Sequence, residues 1–520
     1  MNRLQLIQNL AAGTQWDVII IGGGATGLGI AMDAATRGYK TLLVEQADYA
    51  KGTSSKATKL VHGGVRYMAQ GDLGLVREAC HERGLLLKNA PHLTKNETFV
   101  IPNYSWFNNV KYTIGLKFYD LLAGKLSLGA SKYISKKKTI EALPSIRQEG
   151  LKGGVVYHDG QFDDSRLALN IAQTAIENGA TVLNYMKVEG LLKDDKKKVN
   201  GIKVKDIETG NSYEAIGKIV INATGVYVDN ILKMDKPEAP HLVRPSQGVH
   251  ITLDRSFMVG ENALMIPETD DGRVLFAVPW HNKLIVGTTD TLVDHAELEP
   301  RALDTEIEFI LSTAGKYFVK KPLRSDVLAV FAGLRPLAAP KAEGAKTKEI
   351  SRSHKIIVSD SGMITITGGK WTTFRRMAQD TLDKAIEKNF LPAKKCVTEA
   401  LQIHGYVPEP NRADPLHFYG ADIAGVQKLI NENPALLERL VPEYPYTKAM
   451  VVWAVRNEYA RRVEDVLGRR FRLLFLDVHA AVLAAPAVAG IIAEELKLDE
   501  AWVAQELQDF TKLAKTYTLD

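Results

Sequence analysis

The sequence predicts an α/β protein with a nucleotide-binding half, an antiparallel-sheet second layer and an all-helical C-terminal domain. Three observations carry this. Trp16–Ile21 is a short Val/Ile-rich run, glycines follow it, and Ala25–Arg37 has helical spacing stopped by Gly38. Lys40–Glu45 reads as the next strand, which completes a βαβ unit and implies a parallel sheet of Rossmann-like type. Between Gly248 and Asp290 the runs GVHITL, ALMI, RVLFAVPW and KLIVGTT are separated by turn residues, as in an antiparallel sheet. After residue 392 the pattern is helical throughout.

The remaining elements fall between these. Residues 46–90 combine loop chemistry with a helix near Leu73–Leu87. Residues 104–138 interleave Trp106, Phe107, Tyr112, Phe118 and Tyr119 with Lys111, Lys117, Lys125 and Lys132. Asp163–Gly179 reads as a capped helix, Ala180–Tyr185 as a strand, and Ile216–Ala223 as a strand running into Ala223-Thr224-Gly225. Met363–Thr367 is a further buried strand, followed by a Gly-Gly-Lys turn and the helical pattern Thr373–Lys388. Arg456–Arg472 reads as a helix densely charged on one face, in a separate helical domain.

Composition limits the classes available. A chain of 520 residues holds about two to four domains. Hydrophobic residues at 45% and charged residues at 24% are an ordinary globular balance that can bury a large core. The net charge of +5, from 66 Lys+Arg and 61 Asp+Glu, argues against a nucleic-acid binder but suits anionic substrates or an anionic membrane surface. Cys80 and Cys396 are too few for a disulfide framework, fit a reducing compartment and offer no metal-ligand spacing. The N-terminus lacks an apolar region of signal-peptide length. No uninterrupted apolar stretch reaches the ~18 residues that span a bilayer. The longest, Ala480–Ala493, contains Pro486 and Gly490 and is expected to be a buried helix pair. The protein is then cytosolic or lies on a membrane without crossing it.

Gly22-Gly23-Gly24-Ala25-Thr26-Gly27 satisfies G-x-G-x-x-G. Gly22 permits the tight turn, Gly24 lets the backbone approach a pyrophosphate, and Gly27 allows close helix–strand packing. The helix N-terminus offers N–H groups and a positive dipole end to phosphates. Glu45, ending the next strand, is placed to accept hydrogen bonds from a ribose diol. The late glycine turn at Gly225 and the long insertions favour the flavoproteins with two dinucleotide-binding domains over a simple nicotinamide enzyme.

The stretch Thr53–Tyr67 is the most informative. It gathers hydroxyls, two lysines, His62, two glycines and Arg66 without apolar periodicity, so core packing does not explain it. The hydroxyls can serve a cofactor's phosphates and ring edges. His62 is a candidate proton acceptor near pH 7 and Arg66 a candidate phosphate ligand. Ala332-Gly333-Leu334-Arg335-Pro336 and Gly368-Gly369-Lys370-Trp371-Thr372-Thr373 add two cations, each in a glycine turn after a buried strand.

In this order IGGGATG, TSSKATKLVHGGVRYM, FDDSRL, NATG, GLRP and GGKWTT closely resemble the FAD-dependent glycerol-3-phosphate dehydrogenases, and the likeness extends over essentially the whole chain, including WAVRNEYARRVEDVLGRR. The resemblance implies a bound FAD, sn-glycerol 3-phosphate as substrate and electron delivery to a membrane quinone. On the matching positions it implies Arg66, Tyr67, Arg335 and Lys370 as substrate ligands, with His62 and His250 near the substrate hydroxyls and Arg352 as a further candidate. It implies cofactor contacts at Gly22, Gly24, Gly27, Glu45, Thr53, Ser54, Ser55, Lys59, Val188, Gly225, Gly369 and Thr372. Val226-Tyr227 stands where the family often has Pro-Trp, and Trp371 where Leu is frequent; both are expected to change packing and not chemistry.

The expected division is an FAD-binding domain from residues 1–90, 150–240 and 355–392, a substrate-binding and membrane-facing domain from 91–149 and 241–354, and a helical domain from 393–520. The expected location is cytoplasmic, peripherally on the inner face of the cell membrane, with no nucleic-acid partner and a homodimer left open. Rival readings are an oxygen-using oxidase with the same pocket, an amino-acid oxidase or dehydrogenase, and a non-catalytic FAD-binding module.

Overall fold

The computed structural model describes residues 3–65, 72–269, 272–338 and 354–519. Two sheets organise the chain. In the first, Gln15–Ile21 lies at the centre, parallel to Ser212–Asn222 on one side and Thr41–Val44 on the other. Thr181–Leu183 extends the sheet beyond Thr41–Val44, and Ile364–Thr367 extends it beyond Ser212–Asn222, both parallel. Lys355–Val358 adds an antiparallel edge, and Met186–Lys193 with Val199–Asp206 form an antiparallel flap on Ser212–Asn222. The central strands are buried, as the Val/Ile-rich runs require of a sheet covered on both faces. The Ala25–Thr36 helix covers one face and packs between Asp164–Glu177 and Phe374–Glu387.

This topology positions the site. The parallel strands ending at Ile21, Val44, Asn222 and Thr367 open into Gly22, Glu45, Ala223 and Gly368 at one edge of the sheet. Ligands of open α/β sheets bind outside the carboxyl ends of the strands.

The second sheet has ten strands. Its core is the expected antiparallel set, Val243–Asp254, Ala263–Ile266, Leu275–Trp280 and Lys283–Gly287, together with Val327–Ala338. It also takes in Thr94–Asn103 and Gly153–Phe162, which lie far earlier in sequence. Val243–Asp254 pairs antiparallel with Val327–Ala338 in a register that sets Ser246 opposite Arg335, Gly248 opposite Gly333 and His250 opposite Phe331.

Two expectations are corrected. The apolar segment near 480–493 is not a helix pair but one helix, Val478–Leu496, running through Pro486. The proline leaves the Val482 carbonyl without its helical donor, and Val482 is on the exposed side, where water can replace that donor. By length and composition this helix is sufficient to cross a membrane, yet half of its most apolar stretch is buried within the fold through Ala481, Ala484, Val488 and Ile492.

The charged segment Arg456–Arg472 is not one helix: the helix Lys448–Asn457 ends within it, and Asp465–Arg470 forms a separate short helical element. Arg469 bonds Glu464 at 2.6 Å and Asp465 at 2.7 Å, and both Arg469 and Arg470 bond Asp48. Arg472 reaches Asp163 at 2.9 Å, and Glu458 meets Arg166 at 2.8 Å. All of these groups except the half-buried Glu464 are buried, so their pairing specifies how the helical segment sits on the parallel-sheet half; an unmatched charge there is costly. One hydrophobic core runs without a break from Ile19 and Leu43 to Val466, Phe475 and Val488.

Candidate functional site: a cavity at the carboxyl edge of the parallel sheet

A cavity of about 540 Å³ lies at that edge. Its walls are Gly22 and Gly24, Glu45, the loop Lys51–Ser54, Met186–Val188, Ala223–Tyr227, Leu298, Pro336 and Gly368–Trp371. The glycine turn is packed so closely that side chains have no room. A Cβ on Gly27 would lie 1.9 Å from the Gly22 carbonyl oxygen, and one on Gly22 would lie 2.7 Å from the Ala223 carbonyl oxygen. Gly22 also has φ 111°, outside the range that L residues readily adopt. The Ala25–Thr36 helix begins at Gly24 with no side-chain cap of its own, so its first N–H groups point into the cavity edge. One of them is accounted for, since Ala25 N donates to Ser54 Oγ at 2.9 Å.

Glu45 accepts from Gly23 N at 2.6 Å and from Ala47 N at 2.9 Å. Burial raises its carboxyl above the usual range, and those backbone donors oppose the rise. Its carboxylate is thereby fixed in orientation, with lone pairs remaining for a diol. Val188 lines the cavity from the antiparallel flap. Gly225, at φ 61°, also lines it, and a Cβ there would meet nothing. Gly369 has φ 77°, and a Cβ on it would strike Met377 Sδ at 2.4 Å.

The loop Thr53–Lys59 is tied down on several sides. Thr53 Oγ1 donates to the Leu334 carbonyl, and Trp371 Nε1 donates to the Ser54 carbonyl at 2.8 Å. Ser55 is fully buried. Lys59 is a correction to the list of cofactor contacts. Its ammonium is buried, donates to both oxygens of Asp164 at 2.8 Å and to the Ser55 carbonyl at 2.7 Å, and lies 5.0 Å from the Trp280 ring. A buried ammonium satisfied in this way anchors the loop from behind and has no donor facing the cavity.

The second cluster lies where the antiparallel sheet meets this edge. His62 follows the short strand Leu60–Val61, and its backbone N–H donates to Thr372 Oγ1 at 3.2 Å. The next residue, Gly63, donates to Tyr119 Oη at 2.9 Å, and Tyr119 in turn bonds Asp159 at 2.9 Å. Arg83 pairs with Asp159 at 2.8 Å. Arg335 lies flat over Gly248, where a Cβ would stand 2.2 Å from the guanidinium. Its forks reach the Thr289 carbonyl at 3.1 Å, Thr288 Oγ1 at 3.0 Å and Asp290 at 3.5 Å. His250 is buried, stacks on Phe331 at 5.0 Å and packs against Gly287; its Nε2 meets Thr58 Oγ1 at 2.9 Å. Burial foremost, then Arg335 and Lys59, hold the His250 imidazolium well below its ordinary range. Lys370 lines the cavity at its Gly368–Trp371 end.

Most of the sequence candidates thus converge on one edge. Arg66, Tyr67 and Arg352 lie outside the described residues. The sequence reading missed Gly248, which makes room for Arg335, although a glycine inside a strand run is itself a sign of close approach. It also missed Tyr119, Asp159 and Arg83, which no local pattern links to His62.

The carboxyl-edge cavity, the uncapped helix N-terminus behind the glycine turn and the fixed Glu45 suit a dinucleotide of FAD size. Residues 17–375 match the model of the FAD dependent oxidoreductase family, and residues 361–503 match that of the C-terminal domain of alpha-glycerophosphate oxidase. Fold and site together define an FAD-dependent oxidoreductase. The chain is 41% identical to a probable mitochondrial glycerol-3-phosphate dehydrogenase of Caenorhabditis elegans, over 99% of this chain and 75% of that protein. It is 40% identical to the mitochondrial glycerol-3-phosphate dehydrogenase of Rattus norvegicus, over 98% of this chain and 74% of that protein. The solved glycerol-3-phosphate dehydrogenase of Bacillus halodurans complexed with FAD is 30% identical and superposes with a TM-score of 0.81, covering 99% of this chain and 97% of that one. The chain belongs to the FAD-dependent glycerol-3-phosphate dehydrogenase family.

Proposed function

We propose that this chain oxidises sn-glycerol 3-phosphate to dihydroxyacetone phosphate at the boundary of the two sheets and passes the electrons to a membrane quinone. The observation that carries the reading is the placement of Arg335 over Gly248, two residues from His250 and on the same sheet face, together with Lys370 at the cavity end. FAD, when bound, supplies the acceptor for the hydride lost from C2.

The chain's own residues bind, orient and remove a proton. Arg335, Lys370 and, in the sequence, Arg66 and Tyr67 hold the phosphate and the hydroxyls, which gives binding energy remote from C2 and orients its hydrogen. His62 takes the hydroxyl proton. His250, held neutral, forms a wall, because a base whose pKa is far below the working pH is a poor proton acceptor. Gly22, Gly24, Gly27, Glu45, Thr53, Ser54, Ser55, Val188, Gly225, Gly369 and Thr372 make up the cofactor cradle. The division into an interrupted FAD-binding domain, a substrate domain and a helical C-terminal domain is part of the same proposal.

The test is anaerobic. sn-Glycerol 3-phosphate is expected to bleach the flavin, whereas glycerol and amino acids are not. A soluble quinone then restores the colour far faster than air does. Bleaching by an amino acid instead, or by no compound of this class, overturns the substrate; rapid recovery in air with peroxide release makes the enzyme an oxidase.

The membrane surface is assigned to the helix Trp106–Ala123. Phe107, Val110, Ile114, Phe118 and Leu121 recur three or four residues apart and are exposed, while Asn109, Leu116 and Tyr119 face inward. Exposed Lys111 and Lys117 flank that stripe, a combination suited to anionic headgroups, and the proposed location is the inner face of the cell membrane. Combining Phe107→Ser, Ile114→Ser and Leu121→Ser is expected to abolish co-sedimentation with phosphatidylglycerol-containing vesicles. Neutralising Lys111, Lys117 and Lys125 is expected to weaken it about 100-fold at low salt, at about 1 kcal/mol per lysine. Pelleting like the wild type in both variants removes this helix as the docking face.

A further inference from the structure

Lys56 sits inside the hydroxyl-rich loop motif, yet the cofactor and substrate assignments leave it without a role. Its ammonium is 3% exposed and bonds Glu299 Oε2 at 2.7 Å. Lys51, on the other side of the loop Gly52–Ser55, meets the same carboxylate at 3.2 Å and Glu464 at 2.6 Å. Tyr517, near the far end of the chain, donates to Glu299 at 2.8 Å, and its ring lies 5.8 Å from the Lys56 ammonium. Arg469 holds Glu464 at 2.6 Å.

These contacts join two segments that line the cavity. Lys51, Gly52, Thr53 and Ser54 form one wall, and Leu298, the neighbour of Glu299, forms part of another. A cation on each side of the loop converges on one carboxylate, and that carboxylate belongs to a different segment of chain. The helical C-terminal region supplies two further points, Glu464 and Tyr517. Charge-assisted hydrogen bonds of this length with little water around them are stronger than surface ion pairs.

We infer that Glu299 is a latch that retains FAD. It ties the Leu298 segment to the loop Gly52–Ser54 through Lys56 and Lys51, with Tyr517 holding Glu299 and Glu464 holding Lys51 from the C-terminal region. Glu299 touches no cavity space itself; it is a positioning residue. With the tie closed, these two parts of the cavity lining stay together and a bound cofactor leaves more slowly. The inference uses the cofactor class alone and does not depend on the substrate.

The experiment measures FAD release from the holoenzyme without substrate, by the rise in free-flavin fluorescence after dilution, and the melting temperature of the apoprotein beside it. Glu299→Gln and Lys56→Met are each expected to speed release by about tenfold, the loss of one charge-assisted bond. The double variant is expected to release no faster than the quicker single one, because the two residues act as one unit. Tyr517→Phe, which removes a hydroxyl and keeps the ring, is expected to speed release several-fold, and it decides the matter if Glu299→Gln does not fold. A lowered apoprotein melting temperature with release at the wild-type rate in Lys56→Met and Tyr517→Phe would show a purely structural tie and overturn the latch.

Discussion

Arg335→Ala is expected to lower kcat/KM for sn-glycerol 3-phosphate by about 10²–10³ while the protein stays yellow. The guanidinium is the cation that Gly248 makes room for, and it is held by the carbonyl of Thr289 and the hydroxyl of Thr288. Removing one partner of a charge-assisted contact typically costs 2–5 kcal/mol, which covers that range. FAD retention is expected because Arg335 itself is not among the residues that line the cavity. Arg335→Lys keeps the charge without the planar fork and is expected to fall between the two. Steady-state kinetics at saturating quinone checks both. Turnover like the wild type in Arg335→Ala would remove this residue from the substrate site.

Gly27→Ala is expected to yield colourless protein. The added methyl would stand 1.9 Å from a backbone carbonyl at Gly22, and neither partner is a flexible side chain. The turn must open, which displaces the first N–H groups of the helix from the pyrophosphate position. Gly190→Ala is the matched control, since a Cβ there meets nothing. The absorbance ratio of purified protein at the flavin and protein bands reads the result. A yellow Gly27→Ala protein with normal FAD content would overturn the role given to this turn.

What was legible in the sequence was local. The βαβ unit, the glycine turn and Glu45 are adjacent in sequence and announce themselves through the periodicity of apolar residues and the turn residues between them. The antiparallel runs after Gly248 were equally visible. Other features depend on partners hundreds of residues away. Lys59, a cofactor contact by family resemblance, has its ammonium taken by Asp164. Arg469, Arg470 and Arg472 are legible only as charges on one helix face, and their partners Asp48 and Asp163 lie hundreds of residues earlier. Val478–Leu496 looks broken by its proline because a local rule cannot see that the freed carbonyl lies on the outer side. Charge in a sequence does not tell whether it meets water or an opposite charge.

The order of strands has a consequence for how the protein is made. The central sheet takes its strands from residues 15–44, 181–222 and 355–367, and its core continues into helices beyond residue 440. A nascent chain emerging from a ribosome therefore displays the glycine turn early, but lacks the Gly368–Trp371 wall and the C-terminal packing until synthesis is nearly over. Prematurely terminated chains would leave Val/Ile-rich strands without neighbours and give chaperones and proteases a clear target. The cavity wall at Gly368–Trp371 is thus completed only after most of the chain has been made.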